Sequence, residues 1–170
     1  MLAGAGAQAA THYVNARFGF SADIPAGLVP GEAPDNGDGM AFRSRDGAVE
    51  LTVSAIGNAS GGTLPAMMAD AGAACAAQPP GYAALHADWA VLSCVAADGR
   101  ILYRKAAVRG QGEGAVFTTL QVRYPVALRT PWDGLAAGAA RSLRPAPGFG
   151  PAGAAGGSAR GRHPGAGGRP

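Results

Sequence analysis

The sequence predicts an α+β domain in which an antiparallel β-sheet meander is flanked by two helices. The meander is indicated by three apolar-rich segments, Asp88–Val95, Arg100–Arg109 and Ala115–Tyr124, which only short turns separate. Short connections of this kind favour antiparallel neighbours, so the three segments should pair edge to edge. The helices are indicated by two segments with apolar residues at helical spacing, one before and one after the meander.

Shorter strands are expected in the first half of the chain and just before the meander. Phe20, Ala22 and Ile24 alternate with polar residues, which is typical of a strand with one buried face. Prolines should keep the stretch Ala26–Pro34 out of any regular element. The other short strands are predicted at Tyr13–Phe18, Met40–Arg43, the segment containing Val49, Leu51 and Val53, and Tyr82–Ala87.

The first helix is expected to begin after Thr63, a residue type that caps helices, with Pro65 in the permissive first turn. Its apolar stripe comprises Leu64, Met67, Met68, Ala71 and Cys75. This spacing places Cys75 on the buried side of the helix.

The second helix should open at Thr130 as its cap, followed by Pro131. Its apolar face, which we expect to lie across the sheet, comprises Trp132, Leu135, Ala136, Ala139 and Leu143.

The patterned part of the chain, residues 11–145, is predicted to be a single domain. Residues 1–10 are predicted to be a signal-peptide remnant or a flexible leader, because Ala7, Gln8 and Ala9 fit a cleavage site. Residues 146–170 are rich in Gly, Ala, Pro and Arg without periodicity, so we expect a disordered tail. No segment approaches the length of a membrane span.

The net charge of +3 belongs to the tail rather than to the domain. Arg160, Arg162 and Arg169 lie there without any acidic residue, and the remaining basic residues equal the 11 acidic residues in number. A nucleic-acid-binding domain usually carries a concentrated basic face. We therefore predict no nucleic-acid partner.

A series of short motifs resembles a family of small, uncharacterised exported proteobacterial proteins. The motifs are, in order, Tyr13–Phe20, Ile24-Pro25, Asn36–Gly39, Trp89–Ser93, Tyr103–Lys105, Tyr124-Pro125 and Ser142–Pro145. The wider pattern is similar to the PsbP-like fold, an antiparallel sheet flanked by helices. The resemblance implies this fold and a periplasmic or secreted location, and it supplies no activity. The chain departs from the family at Cys94, where a glycine is expected.

Two interpretations of Cys75 and Cys94 are open. They could form a disulfide between helix and sheet, because Cys94 shares the face of Leu92 on its strand. They could instead be two unpaired small hydrophobic residues of the core. A catalytic pair of Cys94 with His86 is disfavoured because no residue in the sequence orients the base.

The remaining chemical candidates are weaker. Glu32, Asp35 and Asp38 do not have the spacing of a calcium loop and are better explained as turn residues. The stretch Gly110–Gly114 lies between two strands rather than before a helix, so it lacks the geometry of a phosphate loop. We expect no catalytic residue, cofactor or metal site.

Four basic residues of the meander could suggest an anion site: Arg104, Lys105, Arg109 and Arg123. Strand alternation places Lys105 and Arg109 on one face and Arg104 on the other. A solvated sheet edge is therefore the preferred interpretation.

The sequence favours a non-enzymatic exported protein that binds another protein or an envelope component. The alternative is a small-molecule-binding module with a pocket between sheet and helix. An apolar pocket would favour the alternative, and an exposed apolar patch would favour the protein partner.

Overall fold

The computed structural model describes residues 9–145, which form a seven-stranded antiparallel sheet, a small three-stranded sheet and two α-helices. The strands of the large sheet are β3 (Leu28–Pro30), β4 (Gly39–Ser44), β5 (Glu50–Gly57), β6 (Tyr82–Leu85), β7 (Trp89–Val95), β8 (Arg100–Arg109) and β9 (Val116–Pro125). The small sheet contains β1 (Thr11–Asn15), β2 (Phe20–Ile24) and β10 (Arg144–Pro145). The helices are α1 (Leu64–Gly72) and α2 (Arg129–Ser142).

The predicted meander is the centre of the large sheet, whose strand order is β3-β4-β5-β9-β8-β7-β6. The pairing of β8 with β9 extends from Arg100 opposite Pro125 to Arg109 opposite Val116. The strand β5 completes the centre by pairing with β9 on the other side. The α+β class and the antiparallel meander are therefore confirmed.

The main hydrophobic core lies between one face of the large sheet and a layer formed by α2 and β2. Phe20 and Ile24 from β2, Leu51 and Leu120 from the large sheet, and Ala139 from α2 are all nearly inaccessible to solvent. Burial of apolar side chains such as these is the principal stabilising contribution in a domain of this size. The opposite face is covered only in part, by α1 above β7 and β8.

The first helix begins as predicted and ends earlier than predicted. The hydroxyl of Thr63 accepts a hydrogen bond from the Ala66 amide, which caps the N-terminus. The helix ends at Gly72 because the following backbone bonds shift to three-residue spacing, with the Cys75 amide donating to the Gly72 carbonyl. Cys75 therefore lies beyond the helix, and its predicted position on the helical stripe is wrong.

Cys75 forms a disulfide with Cys94, and the two Cα atoms are 5.7 Å apart. The segment after α1 reaches β7 through a short antiparallel contact, in which the Ala76 amide donates to the Val95 carbonyl and the Ala97 amide to the Ala74 carbonyl. This contact, rather than the packing of a helical stripe, brings the two sulfur atoms together. Both cysteines are buried.

Three further expectations need correction. The second helix begins at Arg129 after Leu128, without a side-chain cap, so Thr130 is not its cap. Leu135 is exposed, and the buried residues of α2 are Ala136, Ala139 and Ala140. Leu28–Pro30 forms a short strand despite the prolines, since an edge strand tolerates a residue without an amide hydrogen.

Residues 1–8 of the predicted leader and the whole predicted tail lie outside the described residues. Within residues 9–145, no helix is long and apolar enough to cross a membrane.

The disulfide can be tested by thiol titration. Protein made in an oxidising compartment and denatured without reductant should show no free thiol, because both sulfurs are bonded to each other. The same sample denatured with reductant, which is then removed, is the control and should titrate both cysteines. Two titratable thiols in the unreduced sample would contradict the disulfide.

Candidate functional site

A candidate site is the cavity between α1 and the face of the large sheet that α1 covers in part. Its volume is about 440 Å³. We call it the α1 cavity. It is lined by Gly62, Thr63, Ala66, Met67, Asp70, Ala71, Ala74, Leu102, Arg104, Phe117, Gln121 and Arg123.

The register of the sheet brings the polar groups of this cavity together. Gln121 of β9 lies opposite Arg104 of β8 and also opposite Thr52 of β5, so the three share one face. Arg123 lies two residues further along β9 and therefore points to the same side. The helix supplies the other wall mostly with small side chains such as Ala66 and Ala71, which leave space above the strands.

Arg104 is the distinctive residue of the α1 cavity. One terminal nitrogen of its guanidinium donates to Gln121 Oε1 at 3.2 Å. Its Nε is buried and has no acceptor among residues 9–145, and no carboxylate of that range forms an ion pair with it. Burial lowers the pKa of Arg104, and the negative charge of Asp70 opposes that shift. Arginine nevertheless remains charged at neutral pH, so the cavity contains a half-buried cation, and Asp70, the acidic residue of the lining, acts on it without forming an ion pair.

Arg123 differs from Arg104 because its charge is partly neutralised. Its terminal nitrogen forms an ion pair with Asp98, which lies in the turn between β7 and β8. Its Nε, like that of Arg104, is buried without an acceptor among the described residues. Two guanidinium groups thus border one cavity, and each has terminal N–H groups beyond those that bond Gln121 or Asp98.

The loop that precedes α1 is held by Asn58, which is almost fully buried. Its side-chain amide donates to the carbonyl of Gly62 at 3.1 Å and to the carbonyl of Gly112 at 3.2 Å. These bonds connect the loop before α1 to the turn between β8 and β9. The position of the Thr63 cap, and with it the helical wall, depends on this connection.

The structure divides the four basic residues of the meander between the two faces of the sheet. Arg104 and Arg123 line the α1 cavity, whereas Lys105 and Arg109 lie on the face that α2 covers. The expected separation of Lys105 and Arg109 from Arg104 is therefore correct. The interpretation of these residues as a solvated sheet edge is wrong, because β8 and β9 are central strands.

The other sequence candidates do not converge on a site. Cys94 is bonded to Cys75, and His86 is exposed and stacks on Trp89 with ring centroids 3.9 Å apart. Asp38 accepts a hydrogen bond from the Asn36 side chain within its exposed turn. Among residues 9–145, no cluster of His, Cys, Asp and Glu is arranged to hold a metal ion.

The sequence reasoning missed the α1 cavity, although one signal was available. The alternation that separated Arg104 from Lys105 also places Arg104, Gln121 and Arg123 on a common face once β8 and β9 are paired. The size of the space could not be found in this way. It depends on how closely the alanines of α1 approach the strands.

Comparison with known proteins supports the fold. No protein-family profile matches the chain, and no curated protein matches it. Among solved structures, the chain is similar to the solution structure of cyanobacterial PsbP (CyanoP) from Synechocystis sp. PCC 6803, with a TM-score of 0.58 at 15% identity. The match covers 85% of this chain and 97% of CyanoP. The protein therefore has a PsbP-like α+β fold.

The free energy of unfolding that is lost by placing Arg104 in this cavity can be measured. Arg104→Met keeps the length of the side chain and removes the unpaired charge together with the unsatisfied Nε, so the free energy of unfolding should rise by about 1 kcal/mol. Urea denaturation measures this change. Arg43→Met is the matched control, because Arg43 is 60% exposed and pairs with Glu50 on the open surface. A clear loss of stability in Arg104→Met would show that the arginine is a structural residue.

Proposed function

We propose that the protein is a non-enzymatic binding module for a small organic anion, which it holds in the α1 cavity. The observation that carries this proposal is the half-buried guanidinium of Arg104, which has no carboxylate partner among the described residues. Proteins seldom bury a charge without an ion partner or a full set of hydrogen bonds. A negatively charged ligand would supply the ion partner that Arg104 lacks.

The chemistry of the cavity favours a ligand with an acidic head and an apolar body. A guanidinium binds carboxylates and phosphates through two parallel N–H bonds. Arg123 provides a second guanidinium beside the first, and Gln121 fixes the orientation of Arg104. Met67 and Phe117 supply apolar surface next to these groups. A volume of about 440 Å³ corresponds to a small molecule, since ligand pockets typically measure about 300–1,000 Å³.

Export is part of the same proposal. The disulfide between Cys75 and Cys94 supports an oxidising compartment, because such bonds are rare in the reducing cytosol. The PsbP-like fold agrees with the resemblance to small exported proteobacterial proteins. We therefore propose a periplasmic or secreted protein that belongs to that family.

Isothermal titration calorimetry with phenyl phosphate tests the anion site. Wild-type protein should bind phenyl phosphate, and Arg104→Met should weaken binding at least tenfold, because hydrogen bonds to charged groups contribute about 1.5–3 kcal/mol. Phenol is the neutral control ligand and Arg43→Met is the control variant. Equal binding of phenol and phenyl phosphate, or unchanged affinity in Arg104→Met, would contradict the proposal.

A partner protein is the second candidate function, favoured by the edge strand β6. This strand pairs only with β7 among the described residues, and its Tyr82 and Leu85 are 54% and 59% exposed. An unprotected edge of this kind can accept an additional strand from another chain.

The edge strand can be tested by co-purification and mass spectrometry from native envelope extract. A charged residue blocks edge pairing, so Leu85→Lys should lose any protein that the wild type retains. Val14→Lys is the control, since Val14 is similarly exposed, at 49%, on the distant strand β1. Retention of the same proteins by Leu85→Lys would exclude β6 as their binding site.

A further inference from the structure

The helix α1 contains a single charged residue, Asp70, and this residue lines the α1 cavity. Ala66 and Met67 of the same lining precede it by four and three residues. Side chains at this spacing lie on one side of a helix, so Asp70 is on the side that borders the cavity. Its side chain is exposed, and it belongs to the wall opposite the strand that carries Arg104.

The local needs of the helix do not explain Asp70. It lies in the last turn of α1, where the helix dipole disfavours a negative charge, and that turn contains no basic residue. The positions three and four residues away are occupied by Ala66, Met67, Ala73 and Ala74, which cannot neutralise it. Among residues 9–145, no cation forms an ion pair with Asp70.

The α1 cavity is thus bordered by unpaired charges of both signs. Arg123 is paired with Asp98, which leaves Arg104 and Asp70 without an ion partner among the described residues. The two groups influence each other, because the negative charge of Asp70 raises the pKa of Arg104 and opposes the effect of burial. They nevertheless remain too far apart for an ion pair, and both border the same space.

This arrangement discriminates between classes of ligand. A simple anion at Arg104 gains one charged partner and is repelled by the nearby carboxylate of Asp70. A ligand that carries an ammonium group beside its carboxylate gains a partner for each charge instead. Specificity of this kind combines an attraction with a repulsion that weakens the competing ligands.

We propose that the ligand of the α1 cavity is an α-amino acid with an apolar side chain. Its carboxylate accepts hydrogen bonds from the guanidinium of Arg104, and its ammonium group donates to the carboxylate of Asp70. Its side chain packs against Met67 and Phe117, which line the same cavity. This inference rests on the proposed function, because the acidic head bound by Arg104 is the carboxylate of the amino acid.

Isothermal titration calorimetry with L-phenylalanine and 3-phenylpropanoate tests this inference, because the second compound has the same skeleton without the amino group. The wild type should bind L-phenylalanine about fivefold more tightly, the effect of one charge-assisted hydrogen bond near the surface. In Asp70→Asn this preference should disappear. L-Phenylalanine should bind about fivefold more weakly than to the wild type, and 3-phenylpropanoate at least as tightly, because the repulsion is removed.

Two controls accompany this titration. Asp35→Asn changes an exposed aspartate outside the lining, so it should bind both compounds as the wild type does. The thermal midpoint of Asp70→Asn should be unchanged or higher, because the substitution removes a negative charge from the last turn of α1.

The two proposals fail in different ways. Equal affinity of the wild type for L-phenylalanine and 3-phenylpropanoate would overturn the amino-acid ligand, as would an unchanged preference in Asp70→Asn. Binding of phenyl phosphate that depends on Arg104 would then still support the anion site. Absence of binding by phenyl phosphate, 3-phenylpropanoate and L-phenylalanine alike, at millimolar concentration, would overturn both proposals.

Discussion

The pairing of β8 with β9 is the constraint on which the rest of the structure depends. Arg104 lies opposite Gln121, and Lys105 lies opposite Leu120. Because successive side chains of a strand point to opposite faces, this single register determines which cation enters which layer. A slip of β9 by one residue would take Leu120 out of the main core and put Thr119 or Gln121 in its place, so the burial of one face also determines which polar residues lie on the other.

The two faces of this sheet are covered by different means. On one face, α2 and β2 close over large side chains such as Phe42 and Tyr124, and the Tyr124 hydroxyl donates to Asp133 at 2.6 Å. Burial and this acidic partner both raise the pKa of Tyr124, so the phenol stays neutral and the contact persists over the physiological pH range. On the other face, the short helix α1 presents mostly small side chains. The space that they leave becomes the α1 cavity.

The disulfide compensates for the limited contact area of α1. The helix is nine residues long and buries few large side chains, so its packing alone stabilises its position weakly. The bond between Cys75 and Cys94 holds the segment that follows the helix against β7. The α1 cavity, in contrast, is bordered by polar groups that the described protein atoms leave unsatisfied, the Nε atoms of Arg104 and Arg123. Such groups lower stability, which is the compromise that we expect if the cavity binds the proposed anion.

Apart from short strands such as Leu28–Pro30, the sequence by itself determined the elements and their order, because period-2 patterns such as Phe20, Ala22 and Ile24 and the cap at Thr63 act over a few residues. It also determined that Lys105 and Arg104 face opposite ways. Where α1 ends, how Cys75 reaches Cys94 and how much space lies beside Arg104 were decided only by the tertiary structure. These features depend on contacts between residues far apart in the chain and on the distance between layers, neither of which a local pattern encodes.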